Sequence, residues 1–196
     1  TLPSLEVARA EVPQKLPTPI AIPDNVKTAF GTLEFFDGVP TDATVGKLYD
    51  NIDRARAVEV FLDNVGALSV YSVIAGNAGI GLSQPNQIAV AEKLLDSHSL
   101  YLTGNTSTMY SIGHLDLDKY GPTVVEVPPG MLGMLDDAWM RFVGDFGVVG
   151  PDKGKGGKYL VLPPGYAGEV PKGYFVLKAP TFSNWFFMRG SIADGL

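Results

Sequence analysis

The 196-residue sequence contains no cysteine and only two histidines. The absence of cysteine excludes disulfide bonds, thiolate metal sites and cysteine nucleophiles. The two histidines, His98 and His114, give little basis for a metal site built from several imidazoles. We therefore predict that the protein has no metal site and needs no cofactor.

Charge is also scarce, and its balance is negative. Charged residues make up 18% of the chain, apolar residues make up 45%, and the net charge is −6. This composition is typical of a globular protein rather than a disordered one. An acidic surface argues against a nucleic acid partner, because binding to the phosphate backbone depends on basic patches.

The longest stretch without a charged side chain runs from Asn64 to Ala91. A membrane-spanning helix needs about 20 mostly apolar residues. Gly76 and Gly79 interrupt this stretch, and Pro85 follows soon after. We interpret the stretch as a buried helix that ends near Gly76, and we predict no membrane span.

The start of the chain is rich in proline and has no sustained hydrophobic period. Residues 1–30 are therefore predicted to form an extended arm. Residues 31–97 are predicted to form a short strand, closed by a turn near residue 38, and then a helical segment.

Two helices are predicted within that segment. Thr41 is a suitable N-cap, and apolar residues recur every three or four positions from Val45 to Leu68. This spacing draws one apolar stripe along a long helix. A second helix is predicted from Pro85, a residue that the first helical turn tolerates, to about Asp96.

Residues 98–196 change to a strand pattern. They contain short segments rich in β-branched and aromatic residues, separated by Gly, Pro and Asp turns. The segments are 99–105, 108–117, 123–127, 137–147, 158–162, 173–178 and 184–191. The predicted fold class is α+β: an N-terminal arm and helices followed by an antiparallel, jelly-roll-like β-sandwich that forms one compact domain with residues 31–97.

The stretch GPDKGKGGKYLVLPPGY, residues 150–166, combines glycines and lysines as phosphate-binding loops do. A P-loop that starts at Gly150 requires glycine where Lys155 stands, and the dinucleotide fingerprint requires its third glycine where Tyr159 stands. The stretch also leads into a predicted strand, so no helix N-terminus receives an anion. We interpret it as a connection between two strands.

The same stretch carries a family resemblance. Residues 150–190 resemble the signature of bacterial proteins with the paired domains of unknown function 1254 and 1214 (DUF1254 and DUF1214). Four other stretches agree with that family, and the resemblance extends over about residues 29–196. They are 30–53, 58–64, 102–117 and 121–147.

The resemblance implies a β-sandwich first domain with leading helices, and a periplasmic or secreted location. It also implies a second β-rich domain of the DUF1214 type, as part of the protein or as a separate chain. It supplies no catalytic residue, because the family has no established activity. Ser107 departs from the family pattern, which usually has an acidic residue there.

Aromatic and basic side chains alternate on two predicted strands. Trp139 and Arg141 share one strand face, and Trp185 and Arg189 share another. We refer to these four residues as the tryptophan–arginine surface. Such a surface can stack a sugar ring or bind a small organic carboxylate. The alternative is that the arginines simply cover exposed indole rims.

Two further residues are candidate ligand contacts. Tyr110 can extend the same groove or simply pack at a strand edge. Asn105 precedes that strand, where a short polar side chain either binds a ligand or hydrogen-bonds the neighbouring backbone.

Carboxylates and one histidine are the weaker catalytic candidates. Asp116, Asp136 and Asp137 lie beside turns, where aspartate often stabilises the turn itself. Two carboxylates about 5–10 Å apart across a cleft can instead hydrolyse a glycoside. His114 alternates with apolar residues, which suits either acid–base chemistry or a half-buried structural histidine.

Three functions remain open at this point. The first is an exported sandwich domain that binds a small polar ligand or carbohydrate, or acts as a scaffold in an assembly. The second is a hydrolase of glycans or esters whose carboxylate site is shared with another domain. The third is a purely structural role, in which exposed strand edges pair with another chain or with a second copy. Whether the protein is an enzyme is left open.

Overall fold

The computed structural model describes residues 23–99, 101 and 103–191. The chain divides into two compact units, one ending at Leu62 and the other beginning at Asp63. Residues 1–22 of the predicted arm lie outside the described residues. The predicted grouping of residues 31–97 and 98–196 into one domain stays a prediction.

The first unit contains a small antiparallel sheet. Strands β1 (Asn25–Thr28), β2 (Gly31–Phe36) and β3 (Val39–Pro40) lie side by side in that order. Asp37 and Gly38 join β2 to β3 with φ angles of 46° and 79°. Two residues with positive φ form the turn that best fits strand twist in a tight hairpin, which explains the Asp-Gly sequence. The predicted strand and turn are confirmed.

Helix α1 extends from Asp42 to Ala78 and starts in the first unit. The Oγ1 of Thr41 accepts a hydrogen bond from the Thr44 N–H at 3.3 Å, which confirms the predicted N-cap. The helix passes the predicted end at Gly76 by two residues. Gly81 follows with a φ of 98°, a conformation that only glycine adopts without strain.

The helix is much more exposed than predicted. By length and composition it can cross a membrane, and 6% of its most apolar window is buried. In the second unit, Val70, Val73 and Ile74 pack on a sheet. The prediction of a buried helix is wrong, because an uncharged stretch does not distinguish a helix covered on one side from one covered all round. The absence of a membrane span stays a prediction.

The second unit is a sandwich-like arrangement of two sheets. Its five-stranded antiparallel sheet has the order β4-β5-β11-β7-β8, and its three-stranded sheet has the order β10-β9-β6. The strands are β4 (Ile88–Val90), β5 (Thr108–Asp116), β6 (Thr123–Val127), β7 (Leu132–Asp137), β8 (Phe142–Gly147), β9 (Gly157–Leu162), β10 (Phe175–Lys178) and β11 (Ser183–Ser191), with the short helix α2 (Leu117–Tyr120) after β5. The predicted α+β sandwich is confirmed.

One pairing departs from the predicted antiparallel pattern. Strands β9 and β10 are parallel. The connecting residues 163–174 are long enough, at about a dozen residues, for the crossover that parallel strands require. Six prolines and glycines in this connection break up any regular pattern, so the sequence did not indicate a crossover.

Three local predictions are wrong. Residues 88–90 form β4 instead of continuing a helix from Pro85, because Asn86 has a φ of 61° and its N–H donates to the His114 carbonyl at 2.7 Å. The described residues between 99 and 105 lie outside strands. Strand β7 was missed, because its sequence LGMLDD, with a glycine near its start and two aspartates at its end, gave no clear alternation.

The five-stranded sheet presents two different faces. Its core face, which includes Leu135, Phe146 and Phe186, packs against the three-stranded sheet and is almost fully buried. Phe146 meets Phe186 and Tyr159 edge to face, with ring centroids 6.2 and 4.8 Å apart. Its helix face, which includes Ile112, Trp185 and Phe187, packs against α1.

Candidate functional site

A pocket of about 280 Å³ lies at the edge of the helix face in the second unit. The C-terminal end of α1, the loop after it and strand β5 supply its walls. The lining residues are Tyr71, Ile74, Ala75, Asn77, Ala78, Leu82, Ser83, Gln84, Pro85, Gln87, Ile112, Gly113 and His114. We refer to it as the His114 pocket.

His114 is the one titratable imidazole in that lining. Strand β5 places it directly opposite Trp185 on β11, on the helix face. Its Nε2 lies 2.9 Å from the Ser183 Oγ. Burial lowers the pKa of His114, and the nearby Asp116 carboxylate opposes that effect only in part. The imidazole is therefore mostly neutral at pH 7.

Side-chain amides form much of the remaining polar lining. Asn77 is buried near the end of α1, and its Oδ1 accepts a hydrogen bond from the Tyr101 Oη at 2.9 Å. The Gln87 Oε1 accepts from the Gln84 N–H at 3.0 Å, which holds the loop in shape. Each of these amides keeps an NH₂ group that the stated bond does not use. The pocket thus has neutral donors fixed by the fold.

Next to the pocket, three residues form a row across adjacent strands. Trp185 lies between His114 on β5 and Asp136 on β7. Its indole N–H is buried and has no hydrogen-bond partner among the described residues. Asp136 is also buried. Burial is the main cause that raises the pKa of its carboxyl, and the charge of the neighbouring Asp137 is the second cause. The row crosses the helix face of the five-stranded sheet.

Asp137 has a different task from its neighbour. Its Oδ1 accepts hydrogen bonds from the N–H groups of Trp139 and Arg141 at 2.8 and 2.9 Å. These bonds organise the hairpin turn between β7 and β8, where Met140 has a φ of 60°. Asp137 therefore stabilises the turn, which is the alternative to catalysis that its position beside a turn had offered.

The tryptophan–arginine surface is not assembled in this structure. Trp139 and Arg141 lie in the β7–β8 turn rather than on a strand, with the guanidinium carbon 6.0 Å from the indole centroid. Trp185 is only 8% exposed, so its ring cannot stack a ligand from solvent. Arg189 is exposed towards the end of β11, opposite Tyr110. The strand assignment for residues 137–147 caused this error.

The remaining candidates serve local structure. The Asp116 Oδ1 accepts from the N–H groups of Asp118 and Lys119 and caps α2. The Asn105 Oδ1 accepts from the backbone N–H groups of residues 107 and 108. Its own N–H donates to the Oη of Tyr110 at 2.7 Å, so the structure brings Asn105 and Tyr110 together as a loop anchor.

A model of the family described as "Protein of unknown function (DUF1254)" matches residues 85–195. The chain belongs to the DUF1254 family. The match begins at Pro85, and it includes the part of the His114 pocket that the loop and β5 supply. It is shorter than the resemblance over residues 29–196, and a DUF1214 partner stays a prediction.

A solved structure supports the same fold. The VPA0106 protein from Vibrio parahaemolyticus is 19% identical, with a TM-score of 0.50 over 66% of this chain. This chain spans 30% of the length of that Vibrio chain. No curated protein matches the sequence. The comparisons therefore establish the family and the fold, and the activity has to be inferred from the site.

The glycine–lysine stretch of this DUF1254 chain is a well-organised turn before β9. The Asp152 carboxylate accepts a hydrogen bond from the Tyr159 Oη and another from the Gly156 N–H. Both Asp152 and Tyr159 are buried, and burial is the main reason that the pKa of Tyr159 rises to about 12. Lys153 and Lys155, in the same turn, are exposed. The stretch joins two strands, as predicted.

Sequence reasoning missed most of the His114 pocket. The lining residues Tyr71, Asn77, Gln84 and Gln87 were not candidates, because they belong to no motif and come from separate parts of the chain. Ser183, which contacts His114, was missed for the same reason. The one usable signal was the polar run SQPNQ, residues 83–87, after a long uncharged segment. Within the described residues, no group of three or more His, Asp or Glu side chains is suited to hold a metal ion.

Proposed function

We propose that this DUF1254 chain binds a small polar molecule in the His114 pocket. The observation that carries the proposal is the combination of a half-buried neutral imidazole, fixed amides and apolar side chains in one concave site. Ligand sites are typically apolar concavities with a few well-placed polar groups. A volume of about 280 Å³ suits a small ligand rather than a peptide.

The test is a binding screen with a blocked pocket. Ala75 lines the pocket from an exposed position on α1, so Ala75→Phe is expected to fill its mouth without disturbing the core. Ser72→Phe adds the same ring to an exposed helical position outside the lining. Compounds that bind the wild type and Ser72→Phe, detected by ligand-observed NMR, should lose at least about tenfold in affinity for Ala75→Phe. Equal binding to all three proteins would refute the proposal.

A second candidate function is ester hydrolysis, favoured by the 2.9 Å contact between the Ser183 Oγ and the His114 Nε2. In such a reaction the Oγ attacks the acyl carbon while its proton passes to Nε2, the alcohol leaves with that proton, and water releases the acid. A fluorophosphonate probe tests for an activated serine. Labelling of the wild type that disappears in Ser183→Ala supports this function, and an unlabelled wild type counts against it.

We also propose that the chain is exported and works beside a second β-rich domain or chain. The family resemblance supports this proposal, as does the greater length of the Vibrio chain, of which this chain spans 30%. Co-expression with such a domain, followed by light scattering, provides the test. A monomer that does not bind the second domain would overturn the proposal of a partner. The same mass measurement would detect a homo-oligomer.

A further inference from the structure

The side chains that line the His114 pocket carry no formal charge at neutral pH. The polar ones are Asn77, Ser83, Gln84, Gln87 and His114, and the last is kept mostly neutral by burial. Asp116 is the charged group that acts on His114, and it is negative. A carboxylate or phosphate ligand is normally held by arginine, lysine or several converging N–H groups. The lining therefore disfavours anions.

The apolar lining includes an aromatic ring at the mouth. Tyr71 is 69% exposed and belongs to the pocket wall, together with Ile74 and Ile112. A ring with one accessible edge or face can pack against the C–H groups of a saturated ring while its hydroxyl remains in water. This wall suits a ligand that has an apolar face as well as polar edges.

The amides match hydroxyl groups better than other polar groups. A side-chain amide offers donors and an acceptor in one plane, so it can donate to one hydroxyl and accept from another. Asn77, Gln84 and Gln87 bring three such groups to one pocket, and His114 adds a ring nitrogen not used in the contact with Ser183. Neighbouring hydroxyls on a ring can satisfy several of these groups at once.

We infer that the His114 pocket binds an uncharged polyhydroxylated ring, of the size of one sugar unit. The inference rests on the proposed binding function and names its ligand class. It moves the carbohydrate hypothesis away from the tryptophan–arginine surface. It also separates carbohydrates from small organic acids, which the sequence had left as equal alternatives.

Calorimetric titration of the 196-residue chain tests the ligand class with matched probes. The neutral probes are the methyl pyranosides of glucose, galactose and mannose, and the anionic probes are the corresponding uronates. At least one neutral probe should bind at least about tenfold more tightly than its uronate, because the uronate buries a carboxylate without a cationic partner. A uronate that binds equally well or better would overturn the inference while leaving the proposed function intact.

Two variants locate that binding. Tyr71→Ala should weaken binding of the neutral probe by about 3–10-fold through loss of ring contact. Trp139→Ala removes another exposed aromatic ring, outside the pocket, and should leave the affinity unchanged. The opposite pattern would overturn the inference. If no pyranoside binds but other small molecules lose affinity in Ala75→Phe, the ligand class is wrong; if nothing binds in the pocket, the proposed function fails as well.

Discussion

The two faces of the five-stranded sheet differ in burial and in polarity, although the same strands supply both. The core face is built from residues such as Leu135, Phe146 and Phe186, which are at most 2% exposed. The helix face contains Trp185, whose indole N–H has no partner in the described part of the chain, and the polar neighbours His114 and Asp136. The comparison indicates that one face provides stability, while the other tolerates polar groups near a pocket.

The largest expected difference between the faces concerns two adjacent phenylalanines on β11. Phe186→Ala should lower the free energy of unfolding by about 3–5 kcal/mol, because it leaves a cavity in the core. Phe187→Ala, on the partly exposed helix face, should lower it by about 1–2 kcal/mol. Urea denaturation of both variants measures the difference, and equal losses would contradict the assignment of the core to one face.

The next expected effect concerns the approach of α1 to the β7–β8 turn. A Cβ on Gly66 would lie 2.5 Å from the Trp139 carbonyl oxygen, which is backbone and cannot easily yield. Gly66→Ala should therefore lower the free energy of unfolding by about 1–3 kcal/mol. Gly46→Ala is the matched control, since nothing lies within 4 Å of its added Cβ. That control should raise stability by about 0.5–1 kcal/mol through helix propensity.

Two adjacent aspartates should respond in opposite directions. Asp137→Ala removes the acceptor for two turn N–H groups and should lower the free energy of unfolding by about 1–2 kcal/mol at pH 7. Asp136→Asn should leave that free energy equal or higher. Burial penalises the charged form of the Asp136 carboxyl and so raises its pKa, and the substitution removes that charge. Thermal unfolding of both variants checks the signs. A strong loss in Asp136→Asn would indicate a partner that requires its charge.

The smallest expected effect is a dependence on pH on the helix face. Burial lowers the pKa of His114 below its ordinary value of 6.5, so the unfolded state binds more protons at mildly acidic pH. The contribution of His114 is present above about pH 6.5 and is lost as the pH falls through the lowered pKa. His114→Gln should reduce the acid slope of stability, measured by urea denaturation between pH 7.5 and 5. His98→Gln, at an exposed position, should retain the slope.

Much of the fold was predictable because local chemistry agreed with tertiary structure. Residues 123–127 form β6 with the predicted bounds. Four of these five residues are β-branched, which fits a strand. Thr41 marked the start of α1 because its side chain can accept the N–H of residue 44. Residues 88–90 could not be assigned, because their strand depends on pairing with β5, which is distant in sequence.

The candidate site was predictable only in part. His114 stood out as a histidine among alternating apolar residues, and it lines the pocket. Asn77 and Gln87 carry no motif, and only the packing of α1 and the following loop beside β5 brings them to His114. The strand assignment behind the tryptophan–arginine surface was wrong for the converse reason: alternation predicted the faces correctly on β11 but was extended through a turn at Trp139.

A map of NMR chemical-shift changes on titration with the neutral pyranosides tests most directly whether the His114 pocket binds a ligand. We expect changes in residues 71–78, 82–87 and 112–114, including the His114 imidazole, and their disappearance in Ala75→Phe. Residues of the core face, such as Leu135 and Phe186, should stay unchanged. Changes concentrated at the β7–β8 turn, or changes that persist in Ala75→Phe, would contradict the assignment of ligand binding to the helix face.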